Sequence, residues 1–309
     1  YLHRTSSVLY DAALKSAVLR FQMANGLDVT GVASTLTLDQ INGSAAQRLS
    51  QVLVALERER WFNQELGDRH VLVNLTDFTA KIVDFDKVTF QTNSVVGARD
   101  DDRRSPEFSD TMEHMIVNPS WYVPRSIITK EYLPMLQEDP TSVEFLELRD
   151  DLGNVVERAE VDFNSFDAET FPFSMRQPPS TSNALGLVKF MFPNRNNIYL
   201  HDTPAKNLFG REVRAFSHGC IRLADPFDFA HALLAVQSSD PISEFKTALD
   251  YGEEVQIDLE NHIPVHIIYR TAVTRPGGGL EFRRDVYGRD AKIWEALRLE
   301  GVVLADITG

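Results

Sequence analysis

Near residue 70 the spacing of apolar residues changes, and that change limits what this chain can fold into. Before it, the spacing is helical. Leu14, Ala17, Val18 and Phe21 share one face of a helix expected over residues 10–22. Asn25-Gly26 supplies a helix stop, Val29-Thr30-Gly31-Val32 reads as a turn, and Ser34-Thr35 caps a short second helix through Ile41. Residues 45–62 read as a long amphipathic helix with Leu49, Val52, Leu53, Leu56 and Trp61 on or near one face. From His70 the period is two, which predicts strands over 71–75, 80–85 and 87–96, with Asp86 marking a tight turn.

A polar loop follows over 97–106, carrying Arg99, Arg103 and Arg104, then a strand around 113–117 and a helix over 127–133. Residues 134–182 differ in character, with many acidic residues, several prolines and few long apolar runs. They read as an excursion between two parts of one sheet, the alternative being a disordered insertion. Strands are expected again over 187–191, 198–201, 254–259, 265–271 and 280–283. Helices are expected over 226–235, with Pro226 at an early helical position, and over 290–299. Many strands with few helices between them predict an α+β, β-rich domain behind a small helical one.

The 309 residues can hold one large or two to three modest domains. A net charge of −14 argues against nucleic-acid binding and against strong attraction to anionic membrane surfaces. No run reaches the ~18 apolar residues of a membrane span. No signal peptide is visible and Tyr1 is no natural initiator, so the chain is expected to be mature or trimmed. One cysteine allows no internal disulfide.

That cysteine, Cys220, stands in Ser217-His218-Gly219-Cys220-Ile221-Arg222, with His201 nineteen residues upstream in Tyr199-Leu200-His201-Asp202-Thr203-Pro204. A lone cysteine can be merely a small buried hydrophobe. His218 and Arg222 are costly neighbours for a dry core, however, and an imidazole nearby is a common route to the reactive thiolate. Gly219 fits a tight turn that brings backbone N–H groups near a reacting atom, so the amides of Gly219 and Cys220 are oxyanion-hole candidates.

The motif with His201 before it resembles the signature of L,D-transpeptidases, cysteine enzymes of the bacterial cell wall. Asn183-Ala184-Leu185-Gly186, residues 188–194 and 199–203, Asn118-Pro119-Ser120-Trp121-Tyr122-Val123-Pro124 and residues 264–272 are similar to the large multidomain Gram-negative branch. Residues 17–22, Gly26-Leu27 and Thr30-Gly31-Val32 resemble a small helical peptidoglycan-binding repeat whose first helix is cut short or missing; the plainer reading is an ordinary helical hairpin. The resemblance implies a partial peptidoglycan-binding module over 1–44, a connecting helix over 45–67, a β-sandwich-like catalytic domain over 68–133 and 183–309, and an inserted lid over 134–182. Phe145, Leu146, Phe163, Phe166, Phe171 and Phe173 are expected to pack that lid against the catalytic groove.

It implies further that Cys220 is the nucleophile, acting on a peptidoglycan tetrapeptide donor stem with release of D-alanine. The thioester passes to the amine of an acceptor stem as a 3→3 cross-link, in the periplasm. Carbapenems would acylate the same thiol, and no cofactor or metal is needed. His201 is taken as the base, although His218 is closer in sequence and, in an extended segment, on the same side as Cys220. The group orienting the base is left between a backbone carbonyl and the Asp202 side chain. Tyr199, Arg222, Ser217, Asp202 and Trp121 are expected at the substrate, with Arg222 holding a carboxylate or locking the loop. Two other classes stay open: an L,D-carboxypeptidase or cysteine peptidase, in which water replaces the amine, and a catalytically silent wall-binding protein. A metal site from His201, His218 and Cys220 is the weakest reading, because zinc wants a fourth group or water.

Overall fold

Capping side chains set the N-terminal helices. Asp11 accepts from the Leu14 N–H at 2.8 Å and opens Ala12–Ala24. Ser34 caps Thr35–Ile41. Ser44 and Gln47 form a reciprocal capping box that starts Ala45–Phe62 at the expected residue. A computed structural model describes residues 8–274 and 278–304. The chain divides into two units, one built from residues up to 110 with 207–219 and 264 onward, the other from 111–206 with 220–263.

In the first unit, the buried amide of Gln22 holds the small helices together. It accepts from the Gly31 N–H at 2.9 Å and donates to the Val32 carbonyl at 2.8 Å and the Thr37 hydroxyl at 3.1 Å. The long helix differs from expectation. Leu56 and Trp61 are exposed, and the buried positions are Val54 and Arg58. Arg58 outcompetes the apolar stripe because its guanidinium meets Asp290 and Glu107 at 3.0 and 2.7 Å and lies over the Tyr269 ring.

The strands follow the period-two reading closely. Arg69–Asn74 pairs antiparallel with Thr79–Asp84, which pairs antiparallel with Lys87–Gly97. Phe85 and Asp86 both take positive φ at the hairpin turn, as a tight two-residue connection demands. Arg69–Asn74 also pairs parallel with the end of Val255–Ile268, and Ala215–Ser217 pairs parallel with the end of Lys87–Gly97. Val255–Ile268 is one continuous strand where two were expected. Leu280–Phe282 forms a hairpin with Ala272–Thr274, and Arg289–Leu299 is the last helix.

The second unit carries Phe108–Val117 (from Thr111), Val188–Met191, Leu200–His201 and Ile221–Leu223 side by side, the first three antiparallel in turn and the last pair parallel. Helix Pro226–Leu234 covers one face, where Phe229 meets Phe190 edge-on at 4.8 Å. Helix Pro241–Asp250 was not expected, although Asp240-Pro241 is a legible start: Asp240 accepts from the Ser243 N–H and proline occupies the first turn. The amide of Asn118 donates to the carbonyls of Ala248, Leu249 and Glu253 and ties down that helix's end.

The acidic excursion is folded. It folds together with the residues just before it: Ser174–Gln177 and Glu147–Arg149 form a three-stranded sheet with Trp121–Tyr122, and a helical run over 125–138, broken by one wide turn at Ile128–Tyr132, leads into it. Its phenylalanines pack on one another. Phe163 and Phe171 are buried, Phe166 and Phe173 lie against them, and the four rings meet at 5.4–6.4 Å. The phenylalanines expected against a groove are thus packed chiefly on one another, in a cluster that also takes in Leu185 and Tyr199. Phe145 is half exposed and outside it.

Candidate active site

The strand register assembles the candidate site. Ile221 pairs with Leu200 and Arg222 with His201, and the Ile221 N–H donates to the Tyr199 carbonyl at 3.1 Å. Cys220 therefore stands beside Tyr199, and the Tyr199 hydroxyl hydrogen-bonds the thiol. The thiol is part-exposed and also approaches the Asn197 carbonyl at 3.7 Å. Burial pushes its pKa up to about 11, opposed by hydrogen bonding from Tyr199 and by the charge of Arg222. Burial and the neighbouring Cys220 push the Tyr199 phenol well above its usual range.

His201 is buried at 3% exposure. Burial and then the Arg222 charge lower its pKa to about 3, against the Asp202 and Leu185 carbonyls, with Lys189 adding to the lowering. Its Nδ1 lies 2.5 Å from the Asp202 carbonyl. A carbonyl can only accept, so Nδ1 carries the proton and Nε2 of the neutral ring carries the lone pair. Of the two groups considered for orienting this ring, the Asp202 backbone carbonyl is the one that it meets.

The Asp202 carboxylate looks inward. It accepts from the N–H groups of Thr203 at 2.7 Å and Leu187 at 2.9 Å and pairs with Lys206 at 2.7 Å. That occupation places Asp202 in the frame of the site, away from the substrate position expected of it. Gly186, at φ +61°, makes room: a Cβ there would stand 2.3 Å from the Asp202 carboxyl. Trp121 likewise differs from expectation, being buried with its ring edge against Tyr132. It belongs to the apolar cluster that residues 121–133 share with the insertion, against which Tyr199 also packs.

Residues 218–220 form a bend. The extended geometry assumed for His218 is therefore absent; His218 is exposed, and Gly219 takes φ +116°. The Ser217 hydroxyl, expected at the substrate, is buried and accepts from the Gly219 N–H at 3.1 Å. That bond removes the Gly219 amide from the oxyanion candidates and leaves the Cys220 amide. Ser105, which sequence reasoning missed, donates to the Gly219 carbonyl at 2.6 Å and accepts from the Gly97 N–H at 2.9 Å. Lys189 was also missed. Its signal was present in Val188-Lys189-Phe190-Met191, where a cation stands between two buried positions of an alternating strand. Among the described residues, no group of three His, Cys, Asp or Glu side chains is placed to hold a metal ion.

Comparison with known proteins gives the family. The family profile described as "L,D-transpeptidase catalytic domain" matches residues 68–257, more than half of the chain, and one described as "Putative peptidoglycan binding domain" matches residues 1–41. A Haemophilus influenzae protein named "Putative L,D-transpeptidase" is 31% identical over 225 residues, covering 72% of this chain and 45% of its own length. This chain thus spans less than half of that relative. A solved L,D-transpeptidase from Xylanimonas cellulosilytica is 13% identical and covers 87% of this chain and 86% of its own, at a TM-score of 0.29. One from Mycobacterium smegmatis is 12% identical and covers 65% and 58%, at 0.30. Overlaps that loose carry no argument about individual residues. The profile match and the curated relative show that this chain belongs to the L,D-transpeptidase family.

Proposed function

We propose that this chain is an L,D-transpeptidase that forms 3→3 cross-links between peptidoglycan stems. The observation that carries the reading is the pairing of Leu200–His201 with Ile221–Leu223. It puts the only cysteine under the Tyr199 hydroxyl and a neutral, carbonyl-anchored imidazole on the neighbouring strand. Cys220 starts as a thiol and His201 as a base, so the proton passes to His201 Nε2 as sulfur attacks the carbonyl before the terminal D-alanine. The Cys220 N–H and the Tyr199 hydroxyl stabilise the oxyanion, and Arg222 stabilises the charge on sulfur. The C–N bond breaks, the proton moves from His201 to the leaving D-alanine amine, and a thioester remains. The side-chain amine of a second stem then attacks it, returning the sulfur to the thiol.

Residues 1–44 are read as a wall-binding module, 45–67 as a connecting helix, 68–133 with 183–309 as the catalytic domain and 134–182 as its lid. Peptidoglycan as substrate places the work outside the cytoplasm, in the periplasm. Among the described residues no helix is long and apolar enough to cross a membrane.

Intact mass after incubation with a carbapenem tests the nucleophile. One adduct is expected on the wild type and none on Cys220→Ala; a wild type that stays unmodified while folded overturns the reading. Incubation with tetrapeptide stems then separates the chemistries, with a cross-linked dimer expected and free tripeptide alone marking a hydrolase.

A further inference from the structure

Lys189 pairs with His201 across the antiparallel register, and His201 pairs with Arg222 across the parallel one. Directly paired residues share a face, so Lys189, His201 and Arg222 form one row across three strands. The opposite face is occupied, since Phe190 turns into the core against Phe229. The row is therefore two cations flanking the candidate base, and the charge of Arg222 also acts on Cys220. The Cα atoms of the two cations are about 10 Å apart at ordinary strand spacing, and both charges act on His201 between them.

Neither cation is neutralised. Among the described residues, Lys189 and Arg222 make no ion pair within 4 Å and no hydrogen bond, and the Arg222 Nε is buried without a partner. The only carboxylate acting on Lys189 is Glu254, at longer range, and that side chain is held by the Ser120 N–H at 2.6 Å. Half-buried cations without a counter-ion are costly, the more so in a chain with a net charge of −14 that has carboxylates to spare. Two such cations flanking His201, one of them acting on the nucleophile, form a receptor for an anion.

We propose that Lys189, together with Arg222, binds the terminal carboxylate of the donor stem. The inference rests on the transpeptidase reading above. The donor ends one residue beyond the bond that breaks, so its negative charge lies a few ångströms from the carbonyl that sulfur attacks. Arg222 follows Cys220 by two residues and its charge acts on the thiol, so it stands within reach of that carboxylate once its neighbour is engaged. Burial lowers the Lys189 pKa in the unliganded chain, and an arriving carboxylate raises it again, so the charge on Lys189 and the ligand support each other. The row thus selects stems with a free terminus next to the scissile bond and holds that terminus still while the thiol attacks.

The test uses the full chain and two donors, a tetrapeptide stem with a free C-terminal carboxylate and the same stem amidated there. Release of D-alanine or D-alaninamide is followed for the wild type, Lys189→Gln and Lys189→Arg, with thermal melting as the folding control. For the wild type, amidation is expected to cost about 10- to 100-fold in kcat/KM, mostly through KM, the range of a charge-assisted hydrogen bond. Lys189→Gln is expected to cost about as much on the carboxylate donor, and amidation should then cost it less than about 3-fold. Lys189→Arg should restore most of the discrimination. A wild type indifferent to amidation overturns the inference, as does a folded Lys189→Gln that loses as much on amidation as the wild type. A role confined to tuning His201 would move the pH profile and slow both donors alike, which also overturns it. If Lys189→Gln does not fold, the wild-type and Lys189→Arg comparison decides. No release from either donor by the wild type overturns the transpeptidase reading itself, and this inference with it.

Discussion

Ser105→Ala removes one oxygen from a fully buried position and orphans two backbone groups. The Ser105 hydroxyl satisfies the Gly97 N–H at 2.9 Å and the Gly219 carbonyl at 2.6 Å. Neither has room to recruit another partner, because this stretch is packed tightly: a Cβ on Gly97 would stand 2.1 Å from the Arg103 carbonyl. Each buried group left unsatisfied costs about 1–3 kcal/mol. The substitution leaves almost no cavity, so the expected loss is about 2–6 kcal/mol. At about 2–4 °C per kcal/mol for a unit of this size, the unit that holds Ser105 should melt about 4–24 °C lower. Differential scanning calorimetry measures this directly. The bond also holds the peptide plane between Gly219 and Cys220. Because that plane is rigid, a carbonyl turned toward Ser105 points the Cys220 N–H the opposite way. Ser105→Ala should therefore also slow thioester formation at temperatures where it is folded, while small alkylating reagents still reach Cys220. A variant that melts within about 1 °C of the wild type refutes the reasoning, since the two groups would then have other partners.

Two further outcomes follow from the site. Because the Cys220 pKa is pushed up to about 11, alkylation by iodoacetamide in the unliganded chain should keep rising about tenfold per pH unit from pH 7 to 10; a plateau by pH 8 would mean a preformed thiolate. Gly186→Ala puts a Cβ 2.3 Å from the Asp202 carboxyl at a φ of +61°, and should cost at least about 2 kcal/mol in a urea titration and slow acylation through the Asp202 carbonyl that holds His201; an unchanged midpoint and rate would show that the loop simply yields.

Local chemistry was legible in the chain itself. Asp11, Ser34 and Ser44 mark helix starts because a cap acts within three residues. The alternation over residues 71–96 identifies three strands close to their observed bounds. Cys220 stood out because its neighbours do not suit a core. Helix Pro241–Asp250 was legible too, through Asp240-Pro241, and was passed over.

What pairing distant segments decides was not legible. Arg58 displaced an apolar stripe only because Asp290 and Glu107, far away in the chain, meet it. The phenylalanines of residues 163–173 could face a groove or one another, and period and composition are the same in both cases. His201 and His218 are equivalent as residue types; the Asp202 carbonyl, the burial of one ring and the exposure of the other separate them. Gly219 offered an amide by its position, but the Ser217 hydroxyl had already taken it. The row of Lys189, His201 and Arg222 exists only in the register of three strands. A sequence carries the periods that make strands, whereas the offset between strands is set by the summed packing of both faces, and only the tertiary structure holds that sum.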